Sequence, residues 1–135
     1  MSRILAVDYG RRRIGVAVSD PLGIIAKPLQ VVVAGEGSVE QVANAVRTHG
    51  VSEVVLGMPP DDRGDGLREE IARFGRALED CTGVPVRMVD ETMTTREALE
   101  RVHAKGGKLH QVKYKLDALA ASVLLQDVLD RRRTP

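Results

Sequence analysis

Ile4-Leu5-Ala6-Val7-Asp8-Tyr9-Gly10-Arg11-Arg12-Arg13-Ile14-Gly15-Val16-Ala17-Val18-Ser19-Asp20 decides how the rest of the chain is read. Two apolar runs rich in Val and Ile flank a polar, glycine-containing turn, which predicts a β-hairpin whose first strand is covered on both faces. Asp8 falls where that strand ends. A carboxylate there is costly if buried unless it is solvated, hydrogen-bonded or neutralised by a cation. Arg11, Arg12 and Arg13 put positive charge within a few residues of it, while Gly10 and Gly15 allow a tight turn or the close approach of another group. The combination points to metal beside phosphate.

The 135 residues suit one domain, taken as 1–135, that buries about two thirds of its unfolded surface. Hydrophobic residues make up 43% of the sequence, yet no apolar run approaches a membrane span and no signal-peptide pattern opens the chain. The expectation is a cytoplasmic protein with no membrane partner. Cys81 is the only cysteine, which excludes an internal disulfide and a multi-cysteine zinc site and gives Cys81 a structural role. A formal charge of +1 is not that of a generally basic protein, so a nucleic-acid surface requires uneven placement of charge. The placement is uneven: Arg11 to Arg13, then Lys105, Lys108, Lys113 and Lys115, then Arg131 to Arg133.

After the hairpin, Asp20-Pro21-Leu22-Gly23 reads as a turn and Ile24 to Val33 as a third strand, with Pro28 favouring the sheet edge. Ser38 with Gln41 predicts a capping box opening a helix that carries Val39, Val42, Ala43 and Val46 on one face and is closed by Gly50. Val51 to Leu56 is a fourth strand, and Gly57 to Gly66, rich in Gly, Pro and Asp, a loop. A helix from Leu67 to Asp80 buries Ile71, Phe74 and Leu78 before Gly83, and Val84 to Val89 is the last strand. Thr94 with Glu97 predicts a second capping box, with Ala98, Leu99 and Val102 inward and Gly106-Gly107 at the end. The last helix, Val112 to Arg131, is apolar nearly all round from Leu116 to Leu125 and reads as buried. The order predicts an α/β fold with a mixed sheet of five strands, the first three antiparallel, flanked by helices.

Three acids stand out by position: Asp8 at the end of the first strand, Glu91 after the last, and Asp117 inside the final helix. Each has an ordinary role open to it. Asp8 caps a turn, Glu91 is solvated near a helix start, or Asp117 pairs with Lys113 one turn earlier. If the first and last strands lie close together and the final helix packs across their ends, the three carboxylates instead converge. Their mutual repulsion then calls for divalent cations, and oxygen-only ligands suit Mg²⁺ or Mn²⁺. Two such ions about 4 Å apart orient a water nucleophile and stabilise the leaving oxygen of a phosphodiester. His49, His103 and His110 lack metal-ligand spacing, and Ser19, Ser122 and Cys81 lack a nucleophile motif.

The sequence resembles the YqgF or RuvX group of RNase H-like nucleases over nearly its whole length. The resemblance rests on Ile4 to Gly10 followed by Arg12 to Asp20; on Val54-Val55-Leu56-Gly57-Met58-Pro59; on Asp90-Glu91 with Thr94-Thr95 and Glu97-Ala98; and on Leu116-Asp117 with Ala120-Ala121. It implies an RNase H-like sheet, Asp8, Glu91 and Asp117 as catalytic acids and metal ligands, and metal-dependent cleavage of nucleic acid. The group is associated with maturation of the 5′ end of pre-16S ribosomal RNA, and was earlier linked to Holliday junctions through its likeness to RuvC resolvases. Two positions depart from its pattern: Thr92 stands where arginine is common, and Asp61 to Gly66 replaces an Asn or Asp-Gly-Thr loop. Both bear on substrate positioning, where a lost phosphate contact falls to Arg63 or Thr92.

Within the nuclease reading, Arg11, Arg12, Arg13, Lys113 and Lys115 are the candidate phosphate-binding residues. Tyr9 and Tyr114, which flank the acids, either stack on a base or pack in the core. So few aromatics leave recognition to phosphates and shape, favouring structured RNA, with branched DNA and a symmetric homodimer as the alternative. Two other classes remain: an ATP-binding domain, whose strand, aspartate and glycine hairpin begin alike but which needs a second such domain, and a nucleic-acid-binding assembly factor that needs no acids.

Overall fold

Along the first strand, larger apolar residues (Leu5, Val7) alternate with smaller ones (Ala6), and this alternation sets up a sheet with two unlike faces. The computed structural model describes residues 2–59, 64–91 and 109–133, with the backbone alone for 109–115. In chain order the elements are β1 (Arg3–Asp8), β2 (Arg13–Ser19), β3 (Ala26–Val33), α1 (Ser38–Thr48), β4 (Val51–Met58), α2 (Leu67–Thr82), β5 (Val86–Asp90) and α3 (Leu109–Arg133). The sheet runs β3-β2-β1-β4-β5. β1, β2 and β3 pair antiparallel, as the order of elements in the sequence predicts, and β4 joins β1 and β5 in parallel. The first and last strands are not neighbours, because β4 lies between them.

Leu5, Val7, Ile14, Val16 and Val18 point into a core closed by α1 and α2, together with Ile71, Phe74 and Leu78. The opposite face is lined by Ala6, Ala17 and Val55, and α3 covers it with Ala121, Leu124, Leu125, Val128 and Leu129. Pro28 sits on edge strand β3 opposite Ala17, where the register shifts, so its missing N–H removes no ladder bond from an interior strand.

Four readings need correction. The Ser38–Gln41 capping box does not form: Gly37, at φ 84°, is the N-cap, no side chain caps the helix, and Ser38 is buried as its first residue. The turn through Gly35 and Gly37 uses positive φ at both, so the glycines set the helix start. β4 runs two residues beyond Leu56, since Gly57 and Met58 pair with Val89 and Asp90 of β5; a glycine that reads as loop is held inside a ladder. The last strand starts at Val86 and includes Asp90. α3 is covered on one side only, with Leu119 exposed. Alanine favours helix on either face, so Ala118, Ala120 and Ala121 made the segment look more buried than it is. The Thr94–Glu97 capping box, its helix and Gly106-Gly107 lie outside the described residues.

The far end of α3 is tied to the sheet by charge. Arg132 donates to both Glu53 carboxylate oxygens, at 2.9 and 2.7 Å, and Arg87 stands 3.3 Å from one of them. The Arg132 hydrogen bonds hold the Glu53 carboxyl below its ordinary range. A carboxyl depressed in the folded state stabilises the fold above its unfolded pKa and loses that contribution as pH falls through the folded one. Glu53→Gln should therefore lower stability by about 1 kcal/mol at neutral pH, with the gap closing below about pH 4. Urea unfolding at both pH values checks this; an equal deficit at both would assign the loss to packing.

Candidate active site

Asp8 is the last residue of β1, and its neighbours across the sheet are glycines. Gly15 of β2 is its register partner, and Gly57 of β4 follows Leu56, the partner of Val7. Ala6, Ala17, Val55 and Val89 face α3. Strand residues two apart share a face, so Asp8, Gly15, Gly57 and Glu91 belong to that side as well.

The space a side chain would fill at each glycine is already taken. A Cβ on Gly15 would lie 1.8 Å from the Asp117 carbonyl oxygen and 3.0 Å from the Ala118 nitrogen, so the backbone of α3 rests directly on β2. A Cβ on Gly57 would lie 2.7 Å from Glu91 Oε1 and 3.0 Å from Leu124 Cδ2, so the Glu91 carboxylate folds over β4. The Glu91 amide donates to the Met58 carbonyl at 2.9 Å, which fixes the chain as it leaves β5. Asp117 thus stands over one neighbour of Asp8 and Glu91 over the other, each displaced by about one strand spacing of 4.8 Å. The acids share one face at one end of the sheet without a preassembled cage: among the described residues no group of three acidic, histidine or cysteine side chains is close enough to hold an ion. The donors are hard carboxylate oxygens, the chemistry that Mg²⁺ and Mn²⁺ take.

The three arginines have separate positions. Arg13 Nε donates to Asp117 Oδ2 at 2.6 Å, so Arg13 is the partner of Asp117 among the described side chains, while the Lys113 side chain lies outside the described residues. Arg11 is held at the start of α2, donating to the Asp65 carbonyl at 2.6 Å and lying 3.2 Å from both the Asp65 and Glu70 carboxylates. Arg12 is exposed, and its carbonyl accepts the Ala34 amide at 2.9 Å. Tyr9 packs on the other face of the sheet, its ring 5.3 Å from that of Phe74 and its hydroxyl 3.4 Å from Glu70 Oε2. Burial first, and then the Glu70 charge, raises the Tyr9 pKa. Lys113, Tyr114 and Lys115 lie in the first turns of α3 with side chains outside the described residues, as are Arg63 and Thr92 altogether.

The remaining polar candidates are structural. Buried Ser19 accepts the Ile4 amide at 2.9 Å and donates to the Asp20 carbonyl at 3.0 Å, and Ser122 donates to the Leu119 carbonyl at 2.7 Å. Cys81 bridges α2 to α1, 3.3 Å from Arg47 and 3.3 Å from Glu40. The close approach that Gly15 allows is made by the backbone of α3, whereas the matching work of Gly57, read as loop, is what the sequence reading missed. The signal for Gly57 was present, since it falls beside Asp8 when the strands are aligned by their alternation.

A mixed sheet in this order, with Asp8 at the end of its first strand, is the RNase H-like fold, and solved structures share it. RuvC of T. thermophilus, in complex with Holliday junction substrate, superposes with a TM-score of 0.60 at 16% identity, covering 99% of this chain and 97% of that one. The fowlpox virus resolvase, in complex with substrate Holliday junction DNA, gives 0.58 at 14% identity, covering 98% and 99%. The family described as "RuvX: Holliday junction resolvase" matches residues 2–131. A relative from Syntrophus aciditrophicus, named "Putative pre-16S rRNA nuclease", is 42% identical over 132 residues, 95% of this chain and 88% of its own. The chain belongs to the RuvX family, and its class is that of hydrolases acting on phosphodiester bonds.

The two glycines should separate stability from activity. Gly15→Ala forces a side chain against backbone and should cost about 3 kcal/mol or displace α3. Gly57→Ala meets mainly a movable carboxylate, so it should cost about 1 kcal/mol yet lower kcat about a hundredfold by shifting Glu91. Urea melts alongside single-turnover cleavage read both. Wild-type cleavage by Gly57→Ala would remove Glu91 from the chemistry.

Proposed function

We propose that this protein is a divalent-metal-dependent nuclease that trims the 5′ end of precursor 16S ribosomal RNA in the cytoplasm, with Asp8, Glu91 and Asp117 as the acids that hold Mg²⁺ or Mn²⁺. The observation that carries the proposal is the placement of Asp117 and Glu91 over the two glycines that flank Asp8. The name of the 42% identical relative supports the ribosomal substrate.

Bound cations would supply activation of water and offset charge on the leaving oxygen. The chain's own contribution is position. Asp8 is fixed by its pairing with Gly15 and by the pairing of Val7 beside it with β4, Asp117 by backbone contact with Gly15, and Glu91 by its bond to Met58. Exposed Arg12 beside the strand end, with Lys113 and Lys115 in the first turns of α3, supplies charge for the phosphate backbone. With Tyr9 packed on Phe74 on the other face, its ring serves the core and recognition rests on phosphates and on shape.

A second reading, resolution of four-way DNA junctions, draws on the RuvC and fowlpox virus folds. It requires a homodimer that sets two sites on two strands. A cleavage panel of precursor rRNA ends, single strands and four-way junctions, with and without Mn²⁺, distinguishes the two. The expected result is Mn²⁺-dependent cutting of the rRNA precursor, reduced more than about a hundredfold by Asp117→Asn. That variant should stay within about 1 kcal/mol of wild type in chelator, since it loses one partly exposed ion pair. Full function with all three acids replaced would make the protein a binding factor.

A further inference from the structure

The Arg13 guanidinium stands directly against the Asp117 carboxylate. Arg13 opens β2, and alternation places it on the face shared by Gly15 and Ala17. Because Gly15 lets the α3 backbone settle on that strand, the Asp117 side chain comes within reach of a residue two positions along. The result is a hydrogen bond of 2.6 Å from Nε to Oδ2, with the two side chains 26% and 29% exposed. That is short even for a charge-assisted bond.

A guanidinium does not give up its proton in a protein, so its charge leaves Asp117 only if the side chain moves. A divalent ion on the same carboxylate would be repelled by it at close range. Both side chains are partly open to solvent, and the arginine stem is long enough to swing while its strand stays paired. The guanidinium fork also matches the oxygens of a phosphodiester.

We propose that Arg13 exchanges partners during loading: it neutralises Asp117 in the metal-free protein, and moves to a phosphate oxygen of the nucleic acid when the cation takes the carboxylate. The proposal rests on the reading of Asp117 as a metal ligand. Arg13 is then a positioning residue that makes metal and nucleic-acid binding favour each other, each by the same factor. Metal alone binds weakly, because it has to displace a tethered charge that has no phosphate to go to. An ion without substrate is thereby kept from settling into a hydrolytic arrangement.

The test measures Mn²⁺ affinity without nucleic acid, by the electron paramagnetic resonance signal of free Mn²⁺, in wild type, Arg13→Gln, Arg13→Lys and Asp8→Asn. Arg13→Gln should bind Mn²⁺ roughly tenfold more tightly than wild type, and Arg13→Lys, which keeps the charge, within about threefold of it. Binding of a phosphorothioate-substituted RNA duplex gives the second readout. In chelator Arg13→Gln and wild type should bind it equally, whereas in Mn²⁺ the variant should bind it about tenfold more weakly, having lost the phosphate contact. If Arg13→Gln does not fold by circular dichroism, Arg13→Met keeps the aliphatic stem and is held to the same values. Equal or weaker Mn²⁺ binding by the folded Arg13 variant, with Asp8→Asn still showing a loss, overturns the exchange and leaves the metal site standing. Mn²⁺ binding unchanged by Asp8→Asn overturns the metal site and the exchange with it.

Discussion

The structure depends on how closely α3 can approach the sheet. Helix and sheet ordinarily keep a layer of side chains between them, but here the Asp117 carbonyl oxygen occupies the place of a Gly15 side chain and Glu91 Oε1 that of Gly57. Ala6 and Ala17 continue the shallow strip along the same face. The reach of Arg13 to Asp117 follows from this contact. A larger residue at either glycine would lift the helix or turn an acid away from Asp8.

Holding the helix there has a cost and a source. Glycine inside a strand costs about 0.5–1 kcal/mol relative to alanine. Leu124, Leu125, Val128 and Leu129 are buried against the sheet, and each contributes about 2 kcal/mol by leaving water. Burial at the far part of α3 therefore outweighs the unfavourable features near Asp117, and the Arg132–Glu53 pair closes that end against β4. The opposite face, with Leu5, Val7, Val16 and Val18 under α1 and α2, is the ordinary core that keeps the strand ends in register. Among the described residues no helix is long and apolar enough to cross a membrane.

Much of the fold was legible in the sequence because its main signals are local. Two β-branched runs around a turn predicted the hairpin, Pro28 marked the edge strand, and Ile71, Phe74 and Leu78 marked the buried side of α2. The signals that misled were also local, and pairing decided against them. Gly57 looks like loop until β5 supplies a ladder partner, and Ser38 looks like a cap until Gly37 starts the helix one residue earlier. At the site, Asp8 and Glu91 stood out by their place at strand ends and Asp117 by its place in an apolar helix, whereas their spacing was not legible, because it depends on β4 lying between β1 and β5. The Arg13–Asp117 pair spans 104 positions of sequence and carries no local signature.

The proposed sharing of a cation by Asp8, Glu91 and Asp117 is tested most directly by Mn²⁺ broadening of backbone amide signals in the ¹⁵N-labelled protein. A single bound Mn²⁺ should bleach the amides of Asp8, Gly15, Gly57, Glu91 and Asp117 together at the same metal concentration, leave those of Arg132 and Glu53 sharp, and be reversed by excess Mg²⁺. Loss of signal around only one of the three acids, or broadening that Mg²⁺ does not reverse, would contradict a shared site.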